Sequence, residues 1–89
     1  MIYCANNNTL YKKAADICED LNVDPGNVSR VLAGRLLRVR NYCFCELNEP
    51  DRDQISSARR YLLYTHFNIV LPDEFVNPQP RIYGGDTYD

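Results

Sequence analysis

The dipeptide Asp24-Pro25 constrains this chain more than any other feature. Proline inside a helix deletes a hydrogen bond and clashes with the turn before it. At the first helical position its missing N–H has no intrahelical partner to lose. An aspartate just ahead of it supplies an N-cap carboxylate. Downstream, Gly34 suits the position where left-handed backbone stops a helix. Between these signals Val28, Val31 and Leu32 recur on one side, so a short helix with one apolar face is fixed. Upstream, Leu10, Ala14, Ile17, Cys18 and Leu21 recur at helical spacing, with Lys12, Lys13, Asp16, Glu19 and Asp20 opposite. With Thr9 as N-cap this reads as a first helix over about 9–21. Asn22-Val23-Asp24 is a three-residue break between the two, making an αα unit of helix-turn-helix kind.

The flanks of that unit read as strands. "MIYCA" is a short strand closed by Asn6-Asn7-Asn8, a turn signal because asparagine tolerates left-handed backbone. From Leu37 the period becomes two: Leu37, Val39, Asn41, Cys43, Cys45 and Leu47 alternate with Arg38, Arg40, Tyr42, Phe44 and Glu46. This predicts a strand over about 39–46, paired with the first, with Tyr42 and Phe44 packing against a third helix. Asn48-Glu49-Pro50-Asp51 opens that helix, and Ile55, Ala58, Leu62 and Thr65 carry it over about 50–66. Phe67 to Leu71 suits a strand or extended arm. The expected fold is α+β, mainly α: a strand–helix-turn-helix–strand unit, a third helix and an extended C-terminal tail. Residues 1–71 form a single domain, with 1–47 as the motif unit and 48–71 as the third helix and arm. Residues 72–89 form an irregular, acidic, aromatic tail.

No apolar run approaches the length of a transmembrane helix, and the first residues lack the pattern of a secretory signal. The expectation is a cytoplasmic protein without membrane contact (in a host cytoplasm if viral). Cys4, Cys18, Cys43 and Cys45 then read as buried reduced thiols. A zinc site is the sharper alternative, but C-x-C without a neighbouring C-x-x-C is a weak ligand pattern and His66 has no partner at ligand spacing. No cofactor and no metal is expected. Ser29 and Thr9 have no His–Asp companions, so nothing supports nucleophilic catalysis or an enzyme.

The net charge of −2 hides an asymmetry. Residues 1–47 carry six basic and five acidic side chains, whereas residues 48–89 carry four and seven. A polyanion-binding surface therefore belongs to the first half. On a helical wheel the side of helix two opposite the valines holds Gly26, Ser29, Arg30 and Ala33, with Asn27 at its flank. Small residues admit a duplex closely, while arginine can bond guanine and asparagine adenine in the major groove. Arg35, Arg38 and Arg40 are placed to hold phosphates, giving affinity and register without sequence information. The bland alternative has these arginines paired with Glu19, Asp20, Asp24 and the acidic third helix.

The stretch "YKKAADICEDLNVDPGNVSRVLAGRLLRVRNYCF" resembles the helix-turn-helix repeat at the ends of phage and intron-encoded homing endonucleases. The matching residues are Ala14-Ala15, Val28, Ser29, Arg30, Val31, Leu32, Gly34, Tyr42 and Phe44, while Asn41 stands where that family has glycine. The resemblance covers about residues 1–47, and neither a GIY…YIG pair nor an HNH cluster accompanies it. It implies double-stranded DNA as partner, helix two in the major groove, and a phage or mobile-element transcription regulator without a nuclease domain. A homodimer or protein contact would use helix 50–66 and the tail, whose rings are Tyr61, Tyr64, Tyr83, Tyr88, Phe67 and Phe75. The competing class is a protein-binding module, an inhibitor or adaptor of a host complex on the same scaffold. The low pI of 5.3 and the acidic second half favour it.

Overall fold

A computed structural model describes residues 1–48, 51–72 and 79–83. The fold is α+β, with three helices and a four-stranded sheet among the described residues. Strand β1 (Ile2–Cys4) lies inside the sheet, antiparallel to β2 (Thr9–Tyr11) on one side and to β3 (Phe44–Glu46) on the other. Strand β4 (Arg81–Tyr83) adds to β2 in parallel, giving the order β3-β1-β2-β4. Helices α1 (Ala14–Leu21) and α2 (Pro25–Leu32) connect β2 to β3, and α3 (Arg52–Phe67) follows β3.

Side chains alternate across the pleat, so each strand feeds two cores. Ile2, Cys4, Tyr11 and Phe44 pack with Ile17, Val23, Val28 and Val31 under α1 and α2. Tyr3, Ala5, Leu10 and Cys43 pack with Ile55, Leu62 and Leu63 under α3. The molecule is thus layered, with the helix pair on one face of the sheet and α3 on the other.

That layering corrects several expectations. The first helix starts at Ala14, not at Thr9, and its N-cap is Lys13. The apparent stripe joined two cores: Leu10 faces α3, whereas Ile17 faces α2. Thr9, Leu10 and Tyr11 are all buried in β2, and Thr9 Oγ1 donates to the Asn7 carbonyl instead of capping a helix. Tyr42 and Phe44 pack against the helix pair, not against α3. The expected strand over 39–46 shrinks to Phe44–Glu46 because Val39 and Tyr42 exchange both backbone hydrogen bonds, each 3.0 Å, around a two-residue turn. On α3, Thr65 is exposed and the buried positions are Ile55, Leu62 and Leu63. Residues 68–71 form no strand. Arg81–Tyr83 is a strand where an irregular tail was expected; the rest of the tail after Pro72, apart from Gln79 and Pro80, lies outside the described residues, as do Glu49 and Pro50.

The three asparagines are a fastened turn. Asn6 Oδ1 accepts from the Cys43 amide at 2.8 Å, Asn7 Nδ2 donates to the Tyr11 hydroxyl at 3.0 Å, and Asn8 Oδ1 accepts from the Tyr3 hydroxyl at 2.6 Å. Only Asn8 takes the positive φ, +52°. No helix among the described residues is long and apolar enough to cross a membrane.

Candidate nucleic-acid interface

Helix α2 is built as its boundary residues require. The Asp24 carboxylate accepts from the Asn27 amide at 3.2 Å, and Pro25 occupies the first helical position. At the far end Gly34 has φ +82°. The Gly34 amide bonds Val31 O and the Arg35 amide bonds Arg30 O at 2.8 Å, the paired bonds of a Schellman stop. Asn22, left-handed at φ 56°, closes α1 through a bond to Cys18 O and lets buried Val23 pin the turn.

Val28 and Val31 are buried and Leu32 is half-buried, so the opposite side faces solvent. Gly26, Ser29, Arg30 and Ala33 are exposed there, with Asn27 half-buried at the flank. Arg30 Nη1 donates to Asn27 Oδ1 at 2.7 Å, which lays the guanidinium along the helix toward its N-terminal turn. Gly26 keeps that turn thin: a Cβ there would sit 2.9 Å from the Asp24 Oδ2 that caps the helix.

The three arginines beyond the helix diverge. Arg35 is exposed just past the stop. Arg40 sits at the tip of the 39–42 turn with φ +54°, a conformation disfavoured for a residue with a Cβ. Its neighbour Asn41, which stands where the resembling repeat has glycine, does not take that conformation; Arg40 does. Arg38, expected to hold phosphate, lies on α3. Its Nη1 donates to the His66 carbonyl at 3.1 Å, and its guanidinium stacks 5.0 Å from the Phe67 ring centroid. It answers an unpaired carbonyl at the α3 C-terminus, where a cation is favoured. None of Arg30, Arg35, Arg38 and Arg40 meets a carboxylate among the described residues.

Two acidic groups of α1, Glu19 and Asp20, are engaged by the C-terminal strand instead. Asp20 Oδ2 accepts from the Tyr11 hydroxyl at 2.7 Å and forms an ion pair with Arg81. Glu19 accepts from the Tyr83 hydroxyl at 2.8 Å, and the Tyr83 ring packs tilted against Tyr11 with centroids 5.5 Å apart. Burial, then the Asp20 carboxylate, raises the Tyr11 phenol above its usual range. The Glu19 carboxylate, then burial, does the same for Tyr83. Nothing in the sequence announced this network, because its members lie up to 72 residues apart. Sequence reading also missed Arg59, whose Nε and Nη1 are buried on the α3 face of the sheet and meet no hydrogen-bond partner among the described residues. Its charge lies against Tyr3, where burial raises the phenol and the guanidinium opposes that rise.

The four cysteines are free thiols. Burial pushes Cys4 up to about 11 and Cys43 up to about 12, which keeps both protonated at neutral pH. Among the described residues no three His, Cys, Asp or Glu side chains converge in a group that could hold a metal. Comparison with protein-family models, with curated proteins and with solved structures finds no match to this chain.

Proposed function

We propose that this chain is a non-enzymatic, double-stranded-DNA-binding protein that reads the major groove with the outer face of α2. The observation that carries the reading is the pairing of exposed Arg30 with Asn27 on a helix face otherwise made of Gly26, Ser29 and Ala33. Small residues leave room for a base edge, and a guanidinium held at 2.7 Å by a neighbouring amide loses less conformational freedom on binding. Exposed Arg35 and Arg40 supply phosphate contacts from the end of the helix and from the turn. The resemblance of residues 1–47 to the homing-endonuclease repeat agrees, and extends the reading to a transcription regulator of phage or mobile-element kind.

A gel shift with random and genomic duplexes at low salt tests the reading. Arg30→Ala should cost about 1–3 kcal/mol on the preferred sequence and relax the preference. Arg40→Ala should weaken all sequences alike and reduce the log–log salt slope by about 0.9, the value for one phosphate. Arg38→Ala, whose group is spent on α3, should leave both unchanged. Negligible binding by the wild-type chain overturns the proposal.

A second reading, a protein-binding module, is favoured by one observation: exposed Tyr61, Tyr64, Ile69 and Val70 on and beyond α3. Tight binding to a protein partner together with absent DNA binding would establish it in place of the first.

A further inference from the structure

The outer face of α3 is built to be covered. Tyr61 is 65% exposed, Tyr64 56% and Val70 76%, far more than a large apolar side chain needs. Together with Ile69 and Leu71 these residues line an open groove of about 460 Å³ between the helix and the segment that follows it. A second depression, lined by Asp53, Gln54 and Leu47, meets the first at Ser57 and Tyr61, so Tyr61 stands as a ridge between two hollows. Exposed tyrosines of this kind are enriched at protein interfaces.

We infer that a second copy of this chain docks on this face, with the two α3 helices antiparallel about a two-fold axis. The order of groups along the helix favours this occupant. Asp53, Ser57, Arg60 and Tyr64 follow one another at spacings of four, three and four, a straight seam on the side opposite Ile55 and Leu62. The acid stands at the N-terminal end of that seam, and the base and phenol at its C-terminal end. Under a two-fold axis this seam is complementary to itself: Asp53 of each copy faces the Arg60–Tyr64 turn of the other. Parallel pairing would set like against like. Ser57, near the axis, is small enough for close helix approach, and each Tyr61 ridge enters the other copy's hollow beside Asp53 and Gln54.

The placement of α3 adds a consequence that rests on the proposed DNA reading. Because α3 and α2 lie on opposite faces of the sheet, a dimer joined through α3 turns its two α2 faces outward in opposite directions. Such a dimer cannot lay both on adjacent half-sites of one straight duplex. It bridges two duplex segments.

Sedimentation of the full chain over a concentration series tests the dimer without DNA. A reversible monomer–dimer equilibrium is expected. Asp53→Arg and Arg60→Asp should each weaken it at least tenfold, and the double variant should restore it, which only an antiparallel seam explains. Circular dichroism melts of these exposed-site variants check that each remains folded. A monomer at every concentration, or single variants that dimerise like the wild type, overturns the inference. For bridging, bead-bound duplex should retain a second, labelled duplex, and Asp53→Arg should lose the second while keeping the first. Retention of one duplex only, with the dimer present, overturns the bridging. Retention of neither overturns the DNA reading and the bridging with it, and leaves the dimer standing.

Discussion

The start of α2 carries a conflict between two residues that a double-mutant cycle can measure. Gly26 occupies the second helical position, where alanine would ordinarily stabilise a helix by up to about 1 kcal/mol. The new Cβ, however, would lie 2.9 Å from Asp24 Oδ2, a separation that real Cβ atoms do not show. The contacted atom belongs to a short side chain, so the carboxylate can rotate away, but only by giving up its bond to the Asn27 amide. Loss of such a cap costs about 1 kcal/mol. Gly26→Ala alone should therefore leave stability close to that of the wild type, gain offsetting loss. Asp24→Ala alone should cost about 1 kcal/mol, which for a domain of this size lowers Tm by about 4–8 °C. In the Asp24→Ala background the obstacle is gone, and Gly26→Ala should recover about 1 kcal/mol. Urea denaturation of the four proteins gives the coupling directly. If Gly26→Ala stabilises equally in both backgrounds, the carboxylate is not where the argument puts it, and the account of the thin N-terminal turn of α2 fails with it.

Two further perturbations probe the sheet. Burial raises the Cys4 and Cys43 thiols from 9.0 in the unfolded chain to about 11 and about 12 in the fold. As pH rises past 9.0 the unfolded chain loses these protons first, so stability, fully present below that pH, should fall steadily toward pH 11. Urea midpoints across that range should show it, and Cys43→Ala should flatten the dependence; a flat wild-type profile would refute the burial argument. Asp20→Ala should cost about 1–3 kcal/mol, because it orphans the buried Tyr11 hydroxyl donor and releases Arg81 at once. Faster hydrogen exchange in β2 and β4 should accompany the loss, and a wild-type melt would show that the network does not hold the strand.

The ends of α2 and the beginning of α3 were legible in the chain because their causes are local. Asp24 reaches an amide three residues on, Gly34 supplies its own backbone freedom, and Asp51 and Gln54 cap each other at 2.8 and 3.0 Å. The amphipathic face of α2 was equally legible, since burial of Val28 and Val31 fixes by periodicity which side Ser29 and Arg30 occupy. The same periodicity placed Gly26, Ser29, Arg30 and Ala33 on the solvent side, whereas the engagement of Arg38 was not legible. Arg38 belongs to the same basic stretch as Arg35 and Arg40, but the partner that claims it, the end of α3, lies 28 residues away.

The caps of α2 lie within a turn of the residues they stop, so the sequence alone determined where α2 starts and stops and which face it turns outward. Strand identity is settled by the neighbour that supplies the opposing hydrogen bonds. Only the tertiary structure could therefore decide that Thr9–Tyr11 pairs with β1 instead of starting a helix, or that Arg81–Tyr83 returns to lie beside it. The same sheet decided that α2 and α3 stand on opposite faces, because alternate side chains of each strand must be buried on both sides.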